Sequence, residues 1–349
     1  MIKYTRRSVF RAGAAASAVL AIPYVARAAT ELVVTVAGGS FEEGWRKSVI
    51  APFERANPGV TVRVVQGMTF QNAALMRAQK DDVRVDVFNM DEVAATLVAA
   101  EGLMHPLTTE AVPNLVDVYP DFRVDGNLYT KLYWVPAVLS YSNQISKPTP
   151  TNWDSLWEPR YKGRLAIPNL DITGGLLFFL ALNKAKGGTI ENTEPAFAAL
   201  KSLKRSVVAF PTQHAQQAQM FAQGDIVIAP WLADRAISFA QSEKSLGWTI
   251  PKDGSTMTEG TMCIAKGTSK LDLAYKYVNL AISPEVQAAT AKFANLSPVN
   301  AKAELDSETK AILPNGRDTI ASIDRPDWRL VNKYYNGWLD RWNREIVTG

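Results

Sequence analysis

The sequence predicts an α/β fold of two hinged lobes with a ligand cleft between them. Three observations carry that expectation. Strand-length apolar runs alternate with helix-length amphipathic ones. Two long extended stretches, near 135–141 and 257–265, bracket a central segment that has its own alternation. The chain, 349 residues long, holds enough apolar side chains for two separate cores. A lobe that is left and re-entered is discontinuous, so the first lobe is expected over 29–137 and 262–349, C-terminal helices included, and the second over 138–261. In such folds ligands sit where strand ends and helix N-termini converge.

Ahead of the first strand, Thr5-Arg6-Arg7-Ser8-Val9-Phe10-Arg11 precedes a short, weakly apolar run that ends in Ala26-Arg27-Ala28. The run is too short to span a bilayer, which takes about 20 apolar residues. A charged start, an apolar middle and a small-x-small end make a signal peptide over 1–28, and the arginine pair marks the twin-arginine type. The expected compartment is the periplasm, reached through the twin-arginine translocase. Lys3, Arg6, Arg7, Arg11 and Arg27 account for five of the 38 basic side chains, leaving 33 against 34 acidic ones. The formal charge of +4 is thus a property of the leader, and nucleic acid is not an expected partner. Cys263 is the only cysteine, so packing and not a disulfide holds the fold; its setting, Thr-Met-Cys-Ile-Ala, reads as core.

After the leader, Leu32–Val36 reads as a buried strand. Gly38-Gly39-Ser40 is a turn, with Ser40 as N-cap of a helix through Trp45 to Arg55. Asn57-Pro58-Gly59 stops it, and strand Val60–Val65, helix Phe70–Gln79, strand Val85–Phe88 and a helix ending at Gly102 follow. Tyr133–Tyr141 is the first extended crossing; 147–161 is loop and short helix; Arg164–Ile167 is a strand. Thr173-Gly174-Gly175 opens an apolar helix to about Lys186. In GDIVIAPWLADRAISFA a strand Ile226–Ala229 is followed by Pro230-Trp231 and a helix, and the tail beyond Asn300 is helical and amphipathic.

Taken in order, Asp86-Val87 with AAEGLMHPL, TNWDSLWEPRYKGRLAIPN, QGDIVIAPWLADRA, TIPKDGS and SPEVQAATAKFANLSPVN make the chain resemble the periplasmic solute-binding proteins of ABC transporters. The group is the one containing the spermidine/putrescine-binding proteins with their thiamine- and iron-binding relatives. The resemblance implies the two-lobed periplasmic binding protein fold (type II-like), a monomer, and delivery of a small-molecule solute to a membrane permease and its ATPase. It implies neither enzyme activity nor a cofactor.

A polyamine site needs carboxylates for ammonium groups and aromatic faces for the methylene chain. Phe41, Asp171 and Trp231 fit such a site, Asp234 adds a second acid, and Glu259 replaces a carboxylate that the family pattern places nearby. Each has a plainer role beside it: Phe41 as a contact within its helix, Asp171 as a helix cap, Trp231 as core. Gly39, Ser40 and Thr173 stand at helix starts, where bare N–H groups suit phosphate or carboxylate. The expected solute is a polyamine or other organic amine; thiamine or thiamine phosphate, a phosphonate or another small anion or zwitterion stays open. Iron fits poorly, since the one Tyr-Tyr pair, Tyr334-Tyr335, lies in the tail helix. An exported hydrolase is the distant alternative: His105 and His214 sit apart, and no nucleophile-elbow, zincin, P-loop or dinucleotide motif is present.

Overall fold

The structure, a computed structural model, describes residues 30–348; the leader expected over 1–28 lies outside them. β1 (Thr30–Val36) is buried on both faces from Leu32 onwards, as the inside of a parallel sheet requires. It leads through Gly38-Gly39 into α1 (Ser40–Trp45), which runs on through a π-helical turn, Arg46–Ile50, into Ala51–Ala56. Ser40 is the first helical residue and not the expected cap. Gly39 holds the cap position with φ +70°, a conformation that a side chain at the cap would strain.

β2 (Val60–Gln66) pairs parallel with β1 at the sheet edge, followed by α2 (Thr69–Ala78). β3 (Val87–Asp91) starts later and ends later than expected. Asp86 instead turns its carboxylate onto the Val33 N–H at 2.8 Å and the Lys270 Nζ at 3.0 Å. An antiparallel partner then extends β3 to Asp91, ahead of α3 (Glu92–Ala100).

β4 (Thr130–Ser142) is the first crossing, thirteen residues long and almost wholly buried. In the second lobe follow β5 (Leu165–Ala166), α4 (Thr173–Ala185), α5 (Glu194–Leu203), β6 (Val207–Ala209), α6 (His214–Gln223), β7 (Ile228–Leu232), α7 (Ala233–Ser242) and β8 (Leu246–Thr249). β9 (Met257–Ala265), α8 (Leu271–Ala281) and α9 (Pro284–Ala294) return to the first lobe. The strand order is β2-β1-β3-β9-β4-β7-β5-β6. β4 pairs with β9 as far as Pro136 and with β7 from Ala137 on, so one strand belongs to both lobes. β9 pairs along its whole length with the first lobe, so the return crossing precedes Met257 and not 262.

The C-terminal helix α10 (Trp328–Trp342) departs from the expected assignment to the first lobe. At about 22 Å its aromatic stripe is long enough to cover both lobes. Asn332 donates to the Val93 carbonyl at 2.7 Å, and Tyr335 stacks on Phe70 at 5.0 Å, both in the first lobe. Trp338 packs on Phe179, Trp342 on Phe210, and Arg341 pairs with Glu194, all in the second.

A bulge opposite Gly260–Thr261 puts Lys131 and Tyr133, two residues apart, on opposite faces of the sheet. On the face away from the cleft, Lys131 lies 2.8 Å from Glu92 and 3.2 Å from Glu259, and Tyr129 donates to Glu92 at 3.0 Å. Burial pushes the Glu259 carboxyl up and Lys131 pulls it back down. Removing the one cation from this buried cluster leaves two carboxylates facing each other. Lys131→Met is expected to cost about 3–5 kcal/mol, measured by urea unfolding at pH 7.

Candidate ligand-binding site

Between the lobes lies a cavity of about 1000 Å³. The first lobe supplies the turn after β1 (Gly38, Gly39, Ser40) and the segment from the end of β2 into α2 (Gln66 to Gln71). The second supplies Asp171–Thr173 at the start of α4, Thr212–Ala215 at the start of α6, and Trp231, Arg235 and Ser238 from β7 and α7. This is the C-terminal end of parallel strands facing helix N-termini, the arrangement in which α/β sheets hold ligands.

Hydrogen bonds already cross between the lobes. Thr173 Oγ1 donates to Asp91 Oδ2 at 2.5 Å, and Thr69 Oγ1 donates to the same oxygen at 2.7 Å. Arg235 Nη1 donates to Ser40 Oγ at 3.2 Å, and its guanidinium stands 5.4 Å from the centre of the Phe41 ring. Gly175 is what lets the start of α4 come this close to the loop that leads into it: a Cβ there would stand 2.0 Å from the Asn169 carbonyl.

The expected site residues divide. Gly39, Ser40, Asp171, Thr173 and Trp231 line the cavity. Asp171 does not cap α4, whose cap position is held by Ile172; it stands exposed at the cleft wall, its carboxyl raised by partial desolvation. Phe41 is no lid: it is buried, stacked on Trp45 at 5.7 Å, edge-on to Tyr133 at 5.6 Å, and supports Arg235 from beneath. Asp234 is buried below the cavity, its Oδ2 3.3 Å from Arg235 Nε. Burial raises its carboxyl, and Arg235 opposes that. Glu259 lies away from the cleft in the Lys131 cluster, because β-strand alternation sends Thr258 towards the cleft floor and Glu259 to the other side.

Trp231 lies within β7 and not beyond its end, and is only 2 % exposed. Phe221 covers one face at 5.8 Å and 19°, and Phe239 packs at 5.9 Å and 54°. Its role is to hold a neighbour: Nε1 donates to His214 Nδ1 at 3.2 Å. A ring nitrogen that accepts carries no proton, so neutral His214 has its proton on Nε2. Burial, with the Arg235 charge nearby, pushes His214 down to about 3.

Sequence reasoning passed over Arg235, His214 and Asp91. Asp91 ends a strand just before a helix, which is the signal that marks cleft residues in this fold. Arg235 is the third residue of α7, beside the Asp234 already singled out. His214 carries no local signal; the cleft finds it through Trp231.

A profile of the family described as "Bacterial extracellular solute-binding protein" matches residues 48–314. The spermidine/putrescine-binding periplasmic protein of Escherichia coli (strain K12) is 22% identical over 196 residues, 53% of this chain and 55% of that protein. The matched region thus spans about half the length of that relative. A periplasmic protein of Salmonella paratyphi A, provisionally named 2-aminoethylphosphonate-binding, is 20% identical over 312 residues, 87% of this chain and 88% of that protein. Among solved structures, an ABC transporter from Clostridium perfringens is similar with TM-score 0.72, 26% identity and coverage of 90% and 99%. The glucopine complex of the binding protein MotA from A. tumefaciens B6 is similar with TM-score 0.77, 19% identity and coverage of 90% and 99%, and bears on the fold alone. Among the described residues no helix is long and apolar enough to cross a membrane.

Two measurements follow from the Trp231–His214 pair. Trp231→Ala is expected to lose about 3–5 kcal/mol of stability, whereas Trp231→Phe, which keeps the stacking and gives up one hydrogen bond, loses about 1 kcal/mol; urea unfolding separates them. The folded protein keeps His214 neutral down to about pH 3, while the unfolded chain protonates near pH 6.5. Between these values the unfolded state binds more protons, so this contribution to stability falls as pH falls. Wild type is expected to lose more stability than His214→Gln between pH 7 and pH 4.5.

Proposed function

The chain belongs to the family of bacterial extracellular solute-binding proteins, and from that premise we propose that it captures a small organic amine between its lobes and delivers it to the permease and ATPase of an ABC importer. The observation that carries the amine is the balance of charge around the cleft. Asp171 stands at its wall, Asp91 and Asp234 lie at and below its floor, and Arg235 is the one cation among the described residues lining it. His214 adds no charge near neutrality. A cationic group on the solute offsets the excess. The relatives named above bear on the same chemistry: spermidine, putrescine and 2-aminoethylphosphonate all carry a primary amine.

Arg235 favours a second reading, a zwitterionic solute such as an aminoalkyl phosphonate. Its guanidinium faces the cavity beside the helix starts at Ser40 and Thr173, where an anionic group is stabilised. Thiamine phosphate and other phosphorylated solutes rest on the same feature with a ring added. Trp231, only 2 % exposed, offers that ring no stacking partner.

In this reading the protein acts by hinge bending and carries out no covalent chemistry. Cys263 is fully buried, with its thiol pushed up by burial, and His214 accepts from a tryptophan and not from a nucleophile. The leader over 1–28 takes the folded chain through the twin-arginine translocase to the periplasm, where it works as a monomer.

Thermal shift of the ligand-stripped protein against putrescine, spermidine, 2-aminoethylphosphonate and thiamine phosphate tests the class. A specific amine at 100 times its Kd stabilises by about 2.7 kcal/mol, and Asp171→Asn is expected to reduce that shift without lowering the melting temperature of the free protein. Stabilisation by anions lacking an amine, with none from the amines, would contradict the reading.

A further inference from the structure

The cavity between the lobes continues downwards into a second void of about 40 Å³. Thr69, Thr173, His214 and Arg235 border both, so the small chamber opens from the large one. We propose that this chamber seats the primary ammonium group of the solute, between Asp91 and Asp234, with the rest of the molecule in the cleft above. The proposal rests on the amine reading and adds to it where the nitrogen goes and which nitrogen substituents are excluded.

The polar groups around the chamber are unfinished. Asp234 Oδ1 and Thr258 Oγ1 have no hydrogen-bond partner, though their residues are 4 % and 1 % exposed. The Asn89 amide nitrogen is likewise unpartnered in a residue 6 % exposed. A buried polar group left unmatched costs about 1–3 kcal/mol; with Arg235 Nε, which also lacks a hydrogen-bond partner, four such groups around one small void mark a place where a guest completes the bonding. Asp91 uses Oδ2 for both threonine hydroxyls. The two carboxylates face one guanidinium, that of Arg235, so the chamber is one positive charge short.

Size narrows the guest. A water takes about 30 Å³ in the liquid, so the chamber holds one group of that size. A primary ammonium matches it in volume, supplies the missing charge, and brings three donors for Asp91, Asp234 and Thr258. Turning the Asn89 amide over presents its oxygen as a further acceptor. A trimethylated nitrogen is too large to enter, and it has no hydrogen to donate.

The test is calorimetric titration of the full, ligand-stripped chain with putrescine, with 2-aminoethylphosphonate, and with the N-trimethylated form of each. At least one primary amine is expected to bind, and its trimethylated form to bind about 100-fold more weakly or worse, as a site built around lost donors rejects an analogue. Asp234→Asn is expected to weaken the primary amine about tenfold or more, and Thr258→Val about threefold. The melting temperature of free Asp234→Asn should equal or exceed that of wild type, because the change removes an excess buried charge; this shows that the loss is not misfolding. If a primary amine and its trimethylated form bind equally well, or Asp234→Asn and Thr258→Val leave affinity intact, the nitrogen does not enter the chamber, while the cleft reading stands. If neither amine binds, the amine reading falls and this proposal falls with it.

Discussion

One strand, β4, is hydrogen-bonded to the first lobe through its first half and to the second lobe through its second half. Everything that makes a site possible depends on that sharing. It sets two α/β units side by side on one continuous sheet, and the gap above the strand becomes the cleft. β9 runs beside it within the first lobe, and α10 lies across both lobes at the other side, with Tyr335 stacked on Phe70 and donating to the Leu170 carbonyl at 3.2 Å. The lobes are therefore held by the strand below and the helix behind, with Asn295 of the first lobe also bonded to Ser238 and Gln241 of the second. That is the geometry of a hinge.

Charge placement at the junction follows from the same frame. Because β3 and β7 end facing each other across the gap, Asp91, the last residue of β3, meets Asp234 and Arg235, just past the end of β7, although the two strands lie far apart in sequence. Their bonds cross between lobes: Asp91 receives Thr173, and Arg235 reaches Ser40. Neither bond is strong enough to fix the lobes alone, since a hydrogen bond to a charged group contributes about 1.5–3 kcal/mol net. Contacts that exist only when the lobes meet are what a solute adds to, so binding and closure draw on the same groups.

Much of this was legible in the chain. The alternation of strand and helix, the two crossings and the stopping signals at Asn57-Pro58-Gly59 and Gly102 give the order of elements. The positions Ser40, Asp171, Thr173 and Asp234 reach the cleft or its floor because each stands where a strand passes into a helix. What sequence could not supply was which way a side chain points. Glu259 and Thr258 are adjacent, and only the pairing of β9 decides that the threonine faces the chamber and the carboxylate faces Lys131. Phe41 and Trp231 have the composition of ligand-stacking aromatics, yet both are buried: Phe41 packs on Trp45 of its own helix and on the distant Tyr133, and Trp231 packs on Phe221 and Phe239. The tail helix reads as amphipathic, but nothing in its period says that its apolar stripe serves two lobes.

The central claim is that both lobes grip one solute in the cleft. Amide hydrogen exchange, with and without whichever of putrescine or 2-aminoethylphosphonate raises the melting temperature, tests it most directly. The account predicts slower exchange at both walls together, over 38–42 and 69–73 in the first lobe and over 173–177 and 214–218 in the second, with no change at the outer strand β6. Protection confined to one lobe, or none at either wall despite saturation, would contradict it.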